Sequence, residues 1–166
     1  MTESGYCRQR GGGGRGLSGE ADTLRARALA LLARREHSEQ ELHLKLITRG
    51  FDSEAVSLLL AQLKAEGLQS DERFTDSYVH NRIERGYGSL RIKRELRERG
   101  VADELIEAIL DETEEQWLRR ITDVREKKFG KSAPANYKEQ ARQSRFLQQR
   151  GFSGELIRQL FKSSGQ

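Results

Sequence analysis

The sequence predicts an all-α fold, an elongated array of three tandem three-helix repeats, on three observations. One junction recurs at nearly even spacing: Arg49-Gly50-Phe51, Arg99-Gly100-Val101 and Arg150-Gly151-Phe152 lie 50 and 51 residues apart, a period in the range of helical repeat arrays. The flanks agree as well. Four residues before each glycine stands Leu46, Leu96 or Leu147, four after it Glu54, Glu104 or Glu155, six after it Val56, Ile106 or Ile157, and nine after it Leu59, Ile109 or Leu160. The composition fits an array, with 35% hydrophobic and 34% charged residues, against about 25% charged in ordinary globular domains.

Residues 1–19 hold seven glycines, including Gly11 to Gly14, interspersed with Arg8, Arg10 and Arg15; with almost nothing to bury, they read as a disordered Gly/Arg-rich tail. The first repeat spans residues 20–68. Leu24, Ala28, Leu31 and Leu32 mark a helix over 23–35, Ser38 and Glu41 stand at capping-box spacing before a shorter one, and Val56, Leu59, Leu60 and Leu63 stripe a third. The second repeat, 69–111, opens with a helix over 71–85 carrying Phe74, Tyr78 and Ile83. Gly88 begins its short helix, and Ile106, Ile109 and Leu110 follow the junction. The third repeat, 112–166, has Trp117, Ile121 and Val124 on a helix over 113–129. The only proline, Pro134, lies in the linker Gly130 to Asn136, and Ile157, Leu160 and Phe161 close the chain's apolar pattern.

The junction has a mechanical reading. A glycine just past a helix takes the left-handed conformation without a Cβ clash, and an apolar residue after it folds back onto the helix. The expected pairs are Phe51 with Leu46, Val101 with Leu96 and Phe152 with Leu147, so Gly50, Phe51, Gly100, Val101, Gly151 and Phe152 are structural junction residues. Arg49, Arg99 and Arg150 suit the negative end of the preceding helix.

Catalytic chemistry finds no support. The one cysteine, Cys7, lies in the tail and allows neither an intramolecular disulfide nor a thiolate zinc site, and the three histidines, His37, His43 and His80, share no helical face at metal-ligand spacing. No serine stands in a nucleophile-elbow pattern. Gly86-Tyr87-Gly88 resembles a phosphate loop only superficially, because it follows a helix and lacks a Gly-Lys-Ser ending. Asp71, Glu72 and Asp76 are acids favoured in a helix's first turn. No enzyme activity, cofactor or metal is expected. No apolar run reaches the length of a membrane span, and a cytoplasmic monomer with no membrane partner is the expectation.

Charge points to a binding role. Residues 117–166 carry 12 Lys and Arg against 4 acids, net +8, while the remainder carries 18 against 22, net −4. A basic third suits an anionic partner, nucleic acid or an acidic protein surface. The candidates for charge-mediated contact are Arg82, Arg91, Arg94 and Arg97 in the second repeat and Lys127, Lys128, Arg142 and Arg145 in the third. Glu84, Glu95 and Glu98 are interleaved among the second-repeat cations, so pairing on a solvated helix face accounts for part of that cluster.

The second repeat carries Gly67-Leu68, Asp71, Arg73-Phe74, Tyr78, Arg82, Gly86-Tyr87-Gly88, Arg91-Ile92, Glu95-Leu96 and Arg99-Gly100-Val101 in that order. This run resembles the bacterial RecX family, regulators of the RecA recombinase. Ser38, Glu41-Leu42, Lys45-Leu46 and Arg49-Gly50-Phe51 resemble its opening module, and Arg145-Phe146-Leu147 with Arg150-Gly151-Phe152 its closing one. Gln69 and Ser70 stand where an acidic pair is more usual, and Ser89 where proline often is. The resemblance covers about residues 23–163. It implies a protein that lodges in the groove of the RecA filament on single-stranded DNA and inhibits its recombinase, ATPase and coprotease activities, modulating DNA repair, homologous recombination and the SOS response. Weak, non-specific binding to single- or double-stranded DNA accompanies that reading. The alternative is a stand-alone helix-turn-helix-like DNA-binding module, since two helices meet at each tight glycine turn.

Overall fold

The computed structural model describes residues 16–111 and 113–163. Among them are nine helices and no strand: α1 Gly16–Leu32, α2 Glu39–Ile47, α3 Ser53–Ala65, α4 Asp71–Glu84, α5 Ser89–Arg97, α6 Asp103–Ile109, α7 Glu114–Phe129, α8 Tyr137–Arg150 and α9 Gly154–Ser163. They form three successive three-helix units. The proposed tail is outside the described residues as far as Arg15, and with it Cys7. Residues 16–19, expected in that tail, instead belong to α1. Leu24 and Ala28 anchor that helix in the core, and once a helix is nucleated each further residue adds one backbone bond, so it runs back past its buried part.

Local chemistry sets most helix starts. The side chains of Ser38, Asp52, Ser70, Thr113 and Asn136 each accept a hydrogen bond from a backbone N–H in the first turn that follows, an arrangement that contributes about 1 kcal/mol per cap. Ser38 caps α2 through Glu41 N, while the Glu41 carboxylate turns to Arg35 at 2.7 Å. The full reciprocal box is at Thr113 and Gln116, ahead of α7.

At the three junctions Gly50, Gly100 and Gly151 take φ of 91°, 73° and 92°. The next residue's N–H reaches back to the carbonyl five before it: Phe51 to Leu46 at 3.4 Å, Val101 to Leu96 at 3.2 Å and Phe152 to Leu147 at 3.2 Å. This is the six-to-one bond of a Schellman cap, with its apolar pair folded over the helix end. In each pair both side chains belong to the same core.

The buried hydrophobic residues form two clusters. One fills the first unit, from Leu24 to Leu63. The other runs through the second and third units without a break, from Phe74, Ile92 and Ile106 to Trp117, Leu147, Phe152 and Leu160. The two joints between units differ accordingly. The first is polar: Ser38 Oγ donates to Arg99 O at 2.7 Å, Glu39 N donates to Asp71 Oδ1 at 2.8 Å, Gln69 Nε2 donates to His37 O at 3.3 Å, and Arg73 pairs with Glu36 at 2.8 Å.

The second joint is backbone against backbone. Gly88 N donates to Arg150 O at 2.8 Å and Leu90 N to Gly151 O at 3.1 Å. Both joints follow one pattern, in which the start of a unit's second helix sits on the Arg-Gly junction of the next unit. A Cβ on Gly100 would meet Gln40, and one on Gly151 would meet Arg91.

Candidate anion-binding faces and an internal arginine cluster

Glu95 organises the second unit. It lies three residues after Ile92 and beside Leu96 on the inward face of α5, and is itself 7% exposed. An ionised carboxylate buried there needs partners. Arg82 Nε lies 2.8 Å from Oε2, Arg91 Nε donates to Oε1 at 2.9 Å, and Tyr78 OH donates to Oε2 at 2.7 Å. Burial pushes the carboxyl upward, but the bonds from Arg91 and Tyr78 and the charges of Arg82 and Arg91 outweigh it and hold the group below its ordinary range. Tyr78 is pushed up by burial and by its bond to that carboxylate.

Aromatic faces bind the surrounding guanidinium groups. Arg91, Arg150 and Arg82 stand 4.4, 5.2 and 5.3 Å from the Tyr87 ring centre, and Arg99 stands 4.8 Å from that of Tyr78. These are cation–π distances. The junction arginines divide in role. Arg49 donates to Lys45 O and Arg99 to Glu95 O, each at 2.6 Å, within the helix that each one ends. Arg150 instead crosses to Arg85 O at 2.7 Å, because the end of α4 lies against it across the second joint.

Of the residues singled out from sequence, Arg82 and Arg91 therefore face the internal cluster. Arg97 pairs with Asp103 at 2.5 Å. Arg94 is two-thirds exposed, with Glu98 a distant 3.6 Å away, and Arg142 is as open, with Glu139 at 3.7 Å. Lys127, Lys128 and Arg145 are exposed. Counted from the junction glycine, Leu44, Arg94 and Arg145 are equivalent positions, as are Glu41, Arg91 and Arg142. The second helices of the second and third units thus carry cations where that of the first carries leucine and glutamate.

Lys127 and Lys128 also line a groove of about 480 Å³ between the end of α4 and helices α7 and α8. Its floor includes Ile83, Val124 and Phe146, and Arg85, Arg120 and Arg150 add further positive charge. Sequence reading missed Tyr78, Tyr87 and Glu95 as organisers, although the spacing of Glu95 from Ile92 and Leu96 marks it as inward-facing. Among the described residues no group of three His, Cys, Asp or Glu is placed to hold a metal ion, and no helix is long and apolar enough to cross a membrane.

Three domain models of one family match in order: "RecX, first three-helix domain" over residues 25–63, "RecX, second three-helix domain" over 70–110 and "RecX, third three-helix domain" over 114–161. The chain belongs to the RecX family. Proteins named "Regulatory protein RecX" match along most of their length. That of Halorhodospira halophila is 46% identical over 138 residues, 83% of this chain and 86% of its own. Those of Legionella pneumophila and Pseudomonas fluorescens are 39% and 41% identical, over 81% and 87% of this chain and 90% and 95% of theirs. The crystal structure of RecX from Lactobacillus salivarius shares the fold, with a TM-score of 0.77 at 20% identity, over 89% of this chain and 98% of that one. The family is one of regulatory proteins, and none of these matches is to a catalytic family.

Proposed function

We propose that this RecX-family chain binds the RecA filament on single-stranded DNA and inhibits its recombinase, ATPase and coprotease activities without catalysing a reaction itself. The observation that carries this reading is the placement of outward cations on equivalent positions of successive units, Arg94 and Arg145, together with Arg142, Lys127 and Lys128, on a chain whose family is regulatory. Repeated units with charge at the same register suit a partner that is itself a repeating polyanionic assembly. Arg82 and Arg91 serve the reading indirectly, by holding the second unit around Glu95. The first unit, with Leu44 exposed at the equivalent position, offers a protein-facing surface instead.

The test is RecA-dependent ATP turnover on single-stranded DNA. The intact chain at micromolar concentration is expected to slow turnover, more strongly at low salt. Lys127→Glu/Lys128→Glu/Arg145→Glu is expected to inhibit at least about tenfold less well with unchanged helix content, which corresponds to about 1.4 kcal/mol of binding. Turnover unaffected by the intact chain at low salt would refute the reading.

A further inference from the structure

We propose that the groove between the second and third units is a binding site for one nucleotide unit of a single-stranded nucleic acid, with the base on its apolar floor and the flanking phosphate on Lys127 and Lys128. The proposal deepens the filament reading by naming what one site on the chain takes.

Size, charge and shape agree. A volume of about 480 Å³ lies within the ~300–1,000 Å³ of small-ligand pockets. Arg85, Arg120, Lys127, Lys128 and Arg150 face it against two carboxylates, Glu84 and Asp123. Arg150 is committed to Arg85 O and to the faces of Tyr87 and Phe146. Lys127, Lys128 and the Arg85 side chain are exposed and make no ion pair within 4 Å among the described residues. Their charge is therefore available to an incoming anion.

Gly86 keeps the floor open. It turns the chain at φ 75°, and a Cβ there would come to 2.9 Å of Val124 Cγ2, so a side chain would fill the space over the floor. Ile83, Val124 and Phe146 present apolar surface between the cations, the combination of apolar or aromatic platform and basic rim that holds an unpaired base and its backbone. The two carboxylates offer hydrogen-bond acceptors to the amino group of cytosine, or of another base that carries one, a donor that the carboxylate side chains of an acidic peptide lack.

The experiment uses the full chain without recombinase, so a failed site and a failed filament reading give separate results. A fluorescein-labelled oligodeoxycytidylate is titrated at low salt and followed by anisotropy. Val124→Trp, which fills the groove without changing charge, is expected to weaken binding about tenfold. Lys127→Gln/Lys128→Gln is expected to weaken it similarly and to reduce the salt slope by roughly two ions. Arg27→Gln/Arg34→Gln, which removes two exposed cations of the first unit, away from the groove, should change affinity less than about twofold.

The proposal is overturned if folded Val124→Trp binds as the intact chain does. It is also overturned if the Arg27/Arg34 variant loses as much affinity as the Lys127/Lys128 variant, or if polyglutamate displaces the strand. Should Val124→Trp fail to fold, the comparison of the two exposed charge pairs decides alone. Free dCTP competing as well as an equal nucleotide concentration of strand would overturn the assignment to a strand.

Discussion

Gly88→Ala isolates the contact that joins the second and third units. Gly88 has φ −87° and ψ 164°, an extended conformation that alanine adopts readily, so backbone strain contributes nothing. A Cβ at that position would come within 2.5 Å of both Gly151 C and Phe152 N, where about 3.5–4.0 Å is comfortable for carbon. The facing atoms are backbone, so the units must part by roughly 1 Å. The bonds from Gly88 N to Arg150 O at 2.8 Å and from Leu90 N to Gly151 O at 3.1 Å would then stretch beyond useful length.

Two lost bonds cost about 1 kcal/mol each, and overpacking costs about 1–3 kcal/mol. Stiffening the unfolded chain offsets about 0.4–1 kcal/mol of that, leaving a net loss of about 2–4 kcal/mol. For a chain of this size it corresponds to a fall in Tm of roughly 5–15 °C by calorimetry. Gly50→Ala is the control: its Cβ meets nothing within 4 Å, and only the left-handed φ of 91° opposes it, at about 1–2 kcal/mol. If Gly88→Ala proves as stable as the parent, or less damaging than Gly50→Ala, the account of the joint is wrong.

Other predictions concern buried charge. Glu95→Gln leaves Arg82 and Arg91 facing a neutral amide and is expected to destabilise the second unit by about 2 kcal/mol, read as a lower urea midpoint; an unchanged midpoint would show that the cluster contributes no net stability. His37, buried at the first joint, donates from Nδ1 to Arg35 O and accepts at Nε2 from Lys45 Nζ, each at 2.9 Å. Burial holds its pKa below the ordinary value, with Arg35 and Lys45 charges acting the same way. Its folded pKa being the lower one, the stability it contributes is complete above the ordinary value of about 6.5 and declines as pH falls below it; His37→Asn should flatten that limb of the stability profile, and an equally steep limb would assign it elsewhere. Gly100→Val places a β-branched residue at φ 73° and against Gln40; thermal unfolding should drop by several degrees, a loss of about 2 kcal/mol or more.

The parts of this fold that were legible in sequence are those set by neighbours along the chain. The Schellman caps at Gly50, Gly100 and Gly151 need only a glycine and a following apolar residue, and the stripes through Leu59, Ile106 and Ile157 need only helical period. What depends on packing between units was not legible. Nothing local marks Gly88 as the residue whose missing Cβ lets Gly151 approach, nor shows that Phe74 and Trp117 belong to one core while Leu24 belongs to another. Arg82 and Arg91 read as surface cations because their glutamate looked like an ordinary helix-pairing partner. Its position between Ile92 and Leu96 carries the contrary signal. Arg150 looked like its counterparts Arg49 and Arg99, and only the neighbouring α4 terminus redirects it. Lys127, Lys128, Arg142 and Arg145 were singled out by charge alone, and their exposure was legible because solvent-facing cations need no tertiary partner.

Binding to the filament is the central claim, and its most direct measurement is fluorescence anisotropy of the labelled chain titrated with preassembled RecA filaments on single-stranded DNA. The account predicts saturable binding that weakens with salt and that Arg94→Glu/Arg145→Glu reduces at least about tenfold while the helix content stays the same. Absence of saturable binding by the intact chain, or equal affinity of the intact and charge-reversed chains, would contradict it.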